Sequence, residues 1–194
     1  IPHVVTDLKN LHSGENSIIW FGHSSYMLQV DGKVFLVDPV FSGNASPLPG
    51  SIRAFHGADY YKPDHMPEID VLLITHDHWD HLDYKTVQAL QSKVKRVICG
   101  LGVGQHFEYW GWDNNKIIEK NWNETVDLQH GFTVTLTPAR HFSGRLFNRN
   151  ISLWTSYVLQ TPSHTLFLGG DSGYGDHFEI IGKEHGPFDL AILE

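Results

Sequence analysis

One segment constrains this chain more than any other. Val71-Leu72-Leu73-Ile74 is a continuous apolar run, and it leads directly into Thr75-His76-Asp77-His78-Trp79-Asp80-His81. A short apolar run of this kind reads as a strand buried on both faces. Three imidazoles and two carboxylates at the end of a buried strand need partners, and metal ions provide them. Imidazole together with carboxylate suits zinc and other first-row divalent ions. In extended backbone His76 and His78 project to one side and can share one ion, whereas Asp80 and His81 lie beyond a turn and can reach a second. The competing readings are a surface His/Asp cluster and a closed structural zinc site. The latter favours cysteine, and Cys99 is the only cysteine. It sits in the run Arg96–Gly100 and reads as a buried small hydrophobe.

The same arrangement recurs twice. His141 follows an expected strand over 132–137, and Asp171 follows one over 165–169. Strand ends on one edge of a sandwich converge on one cleft, so His141 and Asp171 join His76, His78, Asp80 and His81 as candidate ligands. Other strands are expected over 17–21, 25–30, 33–38, 70–75, 95–99, 125–128, 153–160 and 188–193. Asp31-Gly32 is a hairpin signal between the second and third, His130-Gly131 turns the pair 125–128 and 132–137, and Thr161-Pro162-Ser163 turns the pair 153–160 and 165–169. Helices are expected over 102–110, closed by Gly111, over 175–184, and after Asp83, an N-cap for a segment carrying Val87 and Leu90. Residues 39–67 are rich in Pro, Gly, Ser and Asn and form a long loop, a length that is usually functional or mobile. The order is strand-rich with helices inserted, an α/β (α+β) chain forming a single domain over 1–194.

With 194 residues, 41% of them hydrophobic and 19% charged, the chain has the makings of an ordinary soluble domain. Its formal net charge of −8 repels phosphate backbones and disfavours nucleic acid as a partner. Two divalent cations would return four positive charges at the cluster itself. No run approaches the ~20 apolar residues of a membrane helix, and no signal peptide is visible, so the cytoplasm is the expected location. The chain begins at Ile1 and stops within the apolar stretch Phe188–Glu194. We therefore expect the N-terminal and central part of a longer fold, incomplete at its C-terminal side.

The cluster resembles the signature of the metallo-β-lactamase superfamily. Gly22-His23-Ser24-Ser25, Asp38-Pro39, Ala139 to Arg145, Asn150 with Leu153-Trp154, Gly170 to Gly175 and Gly186 to Ala191 are similar to one branch, the N-acyl-phosphatidylethanolamine phospholipase D-like group. L-ascorbate-6-phosphate lactonases share parts of the pattern. The resemblance implies an αββα sandwich holding two zinc ions. His76, His78 and His141 would bind the first, Asp80 and His81 the second, and Asp171 would bridge both. It also implies one further histidine for the second zinc, well beyond Asp171. His164, His177 and His185 do not fall in the expected place, so a weak or vacant second site is expected.

In such a site Asp80 and Asp171 would also orient the attacking hydroxide, and Asp38 and Thr75 are candidates for holding the imidazoles in the right tautomer. His23 is a candidate for lining the cleft, Arg145 for holding a substrate phosphate or carboxylate, and Tyr174 and His177 for the cleft wall. Trp110, Trp112, Phe142 and Phe147 either line a lipid groove or sit in the core. The leading function is a zinc-dependent hydrolase of a phosphodiester or related small or lipid-like ester, with peripheral membrane contact compatible with it. A phosphorylated-sugar lactonase and a metal-binding scaffold without turnover are the alternatives. A polar, cation-rich pocket would favour the lactonase, and a long apolar groove the lipid substrate.

Overall fold

Alternation along the strands sorts the side chains into layers. The computed structural model describes residues 3–12, 14–48 and 50–194, so Pro49 of the long loop lies outside the described residues. β1 (Ser17–Gly22), β2 (Ser25–Val30) and β3 (Lys33–Val37) form an antiparallel meander, to which β4 (Ile69–Ile74), β5 (Val94–Gly100) and β6 (Ile117–Lys120) add in parallel. The second sheet has the order β11-β10-β9-β8-β7, built from β7 (Thr125–Asp127), β8 (Thr133–Thr137), β9 (Ser156–Gln160), β10 (Thr165–Leu168) and β11 (Leu190–Ile192). Its neighbours are antiparallel except β11, which runs parallel to β10.

Side chains two residues apart share a face. Leu36, Leu72, Ile74, Val97 and Cys99 pack on one side of the first sheet, against Val87 and Leu90 of α1 (Tyr84–Leu90) and Phe107 of α2 (Gly104–Tyr109). Their neighbours Phe35, Val37, Val71, Leu73 and Ile98 face the second sheet and meet Leu136, Tyr157 and Leu159. On the far side, Ile181 of α3 (His177–His185) packs on Val158 and Phe167. Helix, sheet, sheet and helix thus form the expected αββα sandwich. The apolar run of β4 is fully buried because both its faces are covered.

Four details differ from the sequence reading. β6 was not expected: only Ile117 and Ile118 are apolar in it, since an edge strand with neighbours on one side needs no long apolar run. Residues 153–155 are not strand. Leu153 N instead donates to Leu101 O (2.7 Å) and Thr155 N to Thr75 O (2.9 Å), which ties this segment to the strand ends of the other sheet. The expected helix over 102–110 is the shorter α2, ended by Gly111 at φ +81°. Within the long loop an isolated bridge joins Asn44 to Arg53, and a short 3-10 turn spans Pro63–His65.

Candidate metal centre

β4 delivers the chain into the cleft, and Asp38 fixes it there. β3 stops at Val37, and Asp38 adopts a left-handed conformation (φ +41°). From that position its carboxylate accepts from Thr75 N (2.8 Å) and Thr75 Oγ1 (2.6 Å), and lies 2.8 Å from His81 Nδ1. Thr75 Oγ1 is also 3.0 Å from His76 Nδ1. Asp38, Thr75, His76 and His81 are all buried. The two residues read as holding the imidazoles therefore touch them directly. Gly170 approaches from β10: a Cβ there would come 2.7 Å from Thr75 Cγ2, and its φ is +63°. Only glycine brings the two strand ends this close, and the close approach sets Asp171 opposite the cluster.

All six candidate ligands converge. His76 Nε2 lies 2.8 Å from His78 Nδ1, and His141 Nε2 lies 3.2 Å from the same atom. Asp171 reaches both sides, with Oδ1 3.2 Å from His81 Nε2 and Oδ2 3.5 Å from His141 Nε2. Three groups of donor atoms, each within 4.8 Å, overlap: His76, His78 and His141; His76, His81 and Asp171; and His23, Asp80 and His81. His81 Nε2 and Asp171 Oδ1 are buried and, although 3.2 Å apart as an ion pair, are not aligned for a hydrogen bond to each other or to another described group. Buried polar atoms left without a bond call for a partner. Tetrahedral ligands at bond lengths near 2.0–2.1 Å stand about 3.3 Å apart, and these donors are spaced accordingly. The residues present fit divalent ions.

The electrostatics separate the donors. Burial, reinforced by the neighbouring imidazoles, drives His76 well below its ordinary value. Burial also lowers His78 and His141. These three are neutral near pH 7, the state in which an imidazole ligates. Burial opposes a charge on His81 as well, but Asp171 and Asp38 outweigh it and raise His81 to about 10. Burial likewise works against charge on Asp80, yet His23 and His81 hold it down at about 2. His23 is raised to about 9 by Asp80 and Glu194.

Of the residues proposed to meet substrate, only His23 reaches the cluster, with Nε2 3.1 Å from Asp80 Oδ2. Arg145 does not: its Nε donates to Asp77 O (2.6 Å), its Nη2 to Leu82 O, and its guanidinium lies 4.2 Å from the centre of the Trp79 ring. It clamps the ligand loop from behind, and burial lowers it to about 10. Tyr174 is largely exposed and stacks on Phe178, while His177 Nε2 sits 3.0 Å from Ser172 Oγ. His177 opens α3 and is in none of the donor groups, and neither side chain has a contact with them. Trp112 is core, Trp110 packs on Phe107 and Arg145, and Phe147 is fully exposed. Phe142 alone walls the site, its ring 4.6 Å from His78 and 4.7 Å from His141.

Two participants escaped the sequence reading. Asp77 is buried and accepts from Gly144 N (2.6 Å), with His106 Nε2 at 3.2 Å, so it anchors the ligand loop. Glu194 lies two residues past β11, Oε1 3.2 Å from His23 Nδ1. Its position after an apolar strand end is the same signal that marks Asp171.

The comparisons with known proteins agree with this geometry. The family model described as a beta-lactamase superfamily domain matches residues 33–194. An uncharacterized protein of Mycobacterium tuberculosis is 39% identical over 198 residues, covering 95% of this chain and 50% of that protein. N-acyl-phosphatidylethanolamine-hydrolyzing phospholipase D 1 of Caenorhabditis elegans is 31% identical over 189 residues, covering 90% of this chain and 52% of its own. The chain thus spans about half the length of the curated relatives it matches. Among solved structures, CmlA, a diiron beta-hydroxylase from Streptomyces venezuelae, superposes with a TM-score of 0.67 at 26% identity, over 91% of this chain and 34% of that one. Strand-end donors on an αββα sandwich, the matching family model and these relatives make the chain a member of the metallo-β-lactamase superfamily, related to the N-acyl-phosphatidylethanolamine-hydrolysing phospholipases D.

Proposed function

We propose that the chain is the metal-binding part of a zinc-dependent dinuclear hydrolase that cleaves a phosphodiester or related ester with a lipid-like body. The observation that carries this reading is the set of overlapping donor groups joined through His76 and His81, with Asp171 reaching both sides. Two divalent ions held there would make hydroxide available near neutral pH and offset charge on the reacting oxygens. The protein's own part is positional. Asp80, kept ionised, and Asp171 accept hydrogen bonds from the attacking water and orient it. Phe142 excludes bulk water on the His78 and His141 side.

Beside Asp80 and His23 opens a hollow of about 270 Å³ lined by Phe21, Val40, Ile52 and Phe55, with Arg53 among its walls. Ile52 and Phe55 are more than half exposed on the long loop. An apolar hollow with one guanidinium suits an acyl chain and a single phosphate better than a phosphorylated sugar acid. The C. elegans relative, named for hydrolysis of an N-acyl phospholipid, points the same way. No helix among the described residues is long and apolar enough to cross a membrane.

The test is hydrolysis of N-acyl phosphatidylethanolamine in mixed micelles, with zinc stripped and restored. Turnover should vanish on chelation, return with zinc, and fall on the order of 10²–10⁴-fold in Asp80→Ala. Activity indifferent to both would sink the reading. Faster turnover of a phosphorylated sugar lactone would install the lactonase, and bound zinc without hydrolysis of either would leave a scaffold.

A further inference from the structure

For the second ion the resemblance implies Asp80, His81, Asp171 and a histidine far beyond Asp171. The structure sets a different histidine against these residues. The turn between β1 and β2 carries Gly22 at φ +106° and His23 at φ +48°, and this left-handed pair swings the imidazole across to the cluster. The donor atoms of His23, Asp80 and His81 lie within 4.8 Å of one another. His23 Nε2 is 3.1 Å from Asp80 Oδ2, close to the ~3.3 Å between neighbouring ligands of a tetrahedral zinc ion.

The back of the ring carries the decisive feature. His81 has Asp38 at Nδ1 (2.8 Å), which leaves Nε2 facing Asp171. His23 has Glu194 at Nδ1 (3.2 Å), which leaves Nε2 facing Asp80. Glu194 is itself held, because the Ser24 hydroxyl donates to its other oxygen. A carboxylate behind an imidazole is the usual companion of a metal-ligating histidine: it takes the N–H and turns the lone pair of the opposite nitrogen outward. A histidine serving only as the ion-pair partner of Asp80 needs no second carboxylate behind it. Both imidazoles at this end of the cluster are built on one plan.

We propose that His23 is a protein ligand of the second metal ion, through Nε2, whose proton the ion would displace to solvent, and that Glu194 positions the ring by accepting a hydrogen bond from Nδ1–H. The proposal rests on the dinuclear reading above.

The experiment is a zinc titration of the metal-free chain in competition with a chromophoric chelator, resolving a first and a second binding step. Wild type should take two ions. His23→Ala should weaken the second step by at least about 100-fold and leave the first unchanged, and Glu194→Gln should weaken the second step by roughly 10–100-fold. A second step of equal affinity in wild type and both variants overturns the proposal, and so does a wild type that takes a single ion with an affinity indifferent to His23. If His23→Ala does not fold, Glu194→Gln decides by the same criterion. Failure of the hydrolase reading has a different signature: two ions bind in two steps, yet chelation leaves ester turnover unchanged.

Discussion

The two ends of the donor cluster meet at His76, His81 and Asp171 but are held by different means. At one end His76, His78 and His141 face one another with their nitrogens 2.8–3.2 Å apart, and burial keeps them neutral. Among the described residues the nearest carboxylate to His141 is Asp171, 3.5 Å away, which also lies within 4.8 Å of His76, and Thr75 Oγ1 is the group behind His76. At the other end His81 and His23 each sit between two carboxylates, Asp38 with Asp171 and Asp80 with Glu194. The first end is a site of low charge made by a strand end and one loop. The second concentrates negative charge drawn from four separate segments. A cation therefore gains from donor softness and preorganisation at the first end and mainly from charge at the second.

The largest effect should come from removing the carboxylate under the second end. Asp38 and His81 are fully buried and 2.8 Å apart. Removing Asp38 leaves the buried His81 with Asp171 alone and strands Thr75 N and Oγ1 without their acceptor, at a cost of about 3–5 kcal/mol. Asp38→Ala should lower the unfolding free energy of the metal-free protein by about that much, read from urea melts. A loss below roughly 1 kcal/mol, the range of a surface pair, would mean that this end does not depend on its carboxylates and would erase the contrast.

The pH dependence of metal-free stability should next separate the two ends by sign. His81 and His23 are raised to about 10 and about 9 in the folded chain, above the ordinary 6.5. The stability they contribute is therefore whole below about pH 6.5 and is lost as the pH rises toward those values. His76, His78 and His141 are lowered, so the unfolded chain binds protons that the folded one refuses, and stability falls as the pH drops below about 6.5. Thermal melts in chelator from pH 5 to 9 should show both limbs. His81→Gln should flatten the alkaline limb far more than the acid limb, which softens only by the part of the lowering of His76, His78 and His141 that comes from the His81 charge. If the acid limb were the one that flattened, the charge assignment of the two ends would be reversed.

The sequence showed the first end almost whole and the second only in part. His76 and His78 follow one apolar strand at alternate positions, and His141 and Asp171 follow others, so period and strand-end position suffice to find them. Asp80 and His81 were found because they are close in sequence to the first pair. The placement of His23 beside Asp80 depends on a left-handed turn and a crossing between strands, and neither leaves a periodic trace. Glu194 carried the strand-end signal, but a single carboxylate after β11 has no neighbouring donors to set it apart. Arg145 was misassigned for a related reason. A guanidinium near a metal motif suits a substrate phosphate, whereas its burial between Trp79 and two carbonyls depends on how 144–145 folds back over the ligand loop. The sandwich itself followed from alternation, and the missed strand β6 is the one whose edge position asks least of its sequence.

The smallest effect tests whether the two ends are coupled. Thr75 touches both ends from behind the donors: its hydroxyl donates to Asp38 Oδ2 (2.6 Å) and stands 3.0 Å from His76 Nδ1. Thr75→Val keeps the shape and removes that oxygen. Asp38 retains Thr75 N and His81 as partners, so the cost should lie near the lower end of that for a bond to a charged acceptor, roughly 1–2 kcal/mol. Thr75→Ser restores the oxygen and should recover most of it. If the hydroxyl couples the two ends, Thr75→Val should weaken both zinc-binding steps together, because His76 loses its hydrogen-bond partner as Asp38 loses a donor. If only one step moves, the ends act independently, and the difference in their construction extends to their thermodynamics.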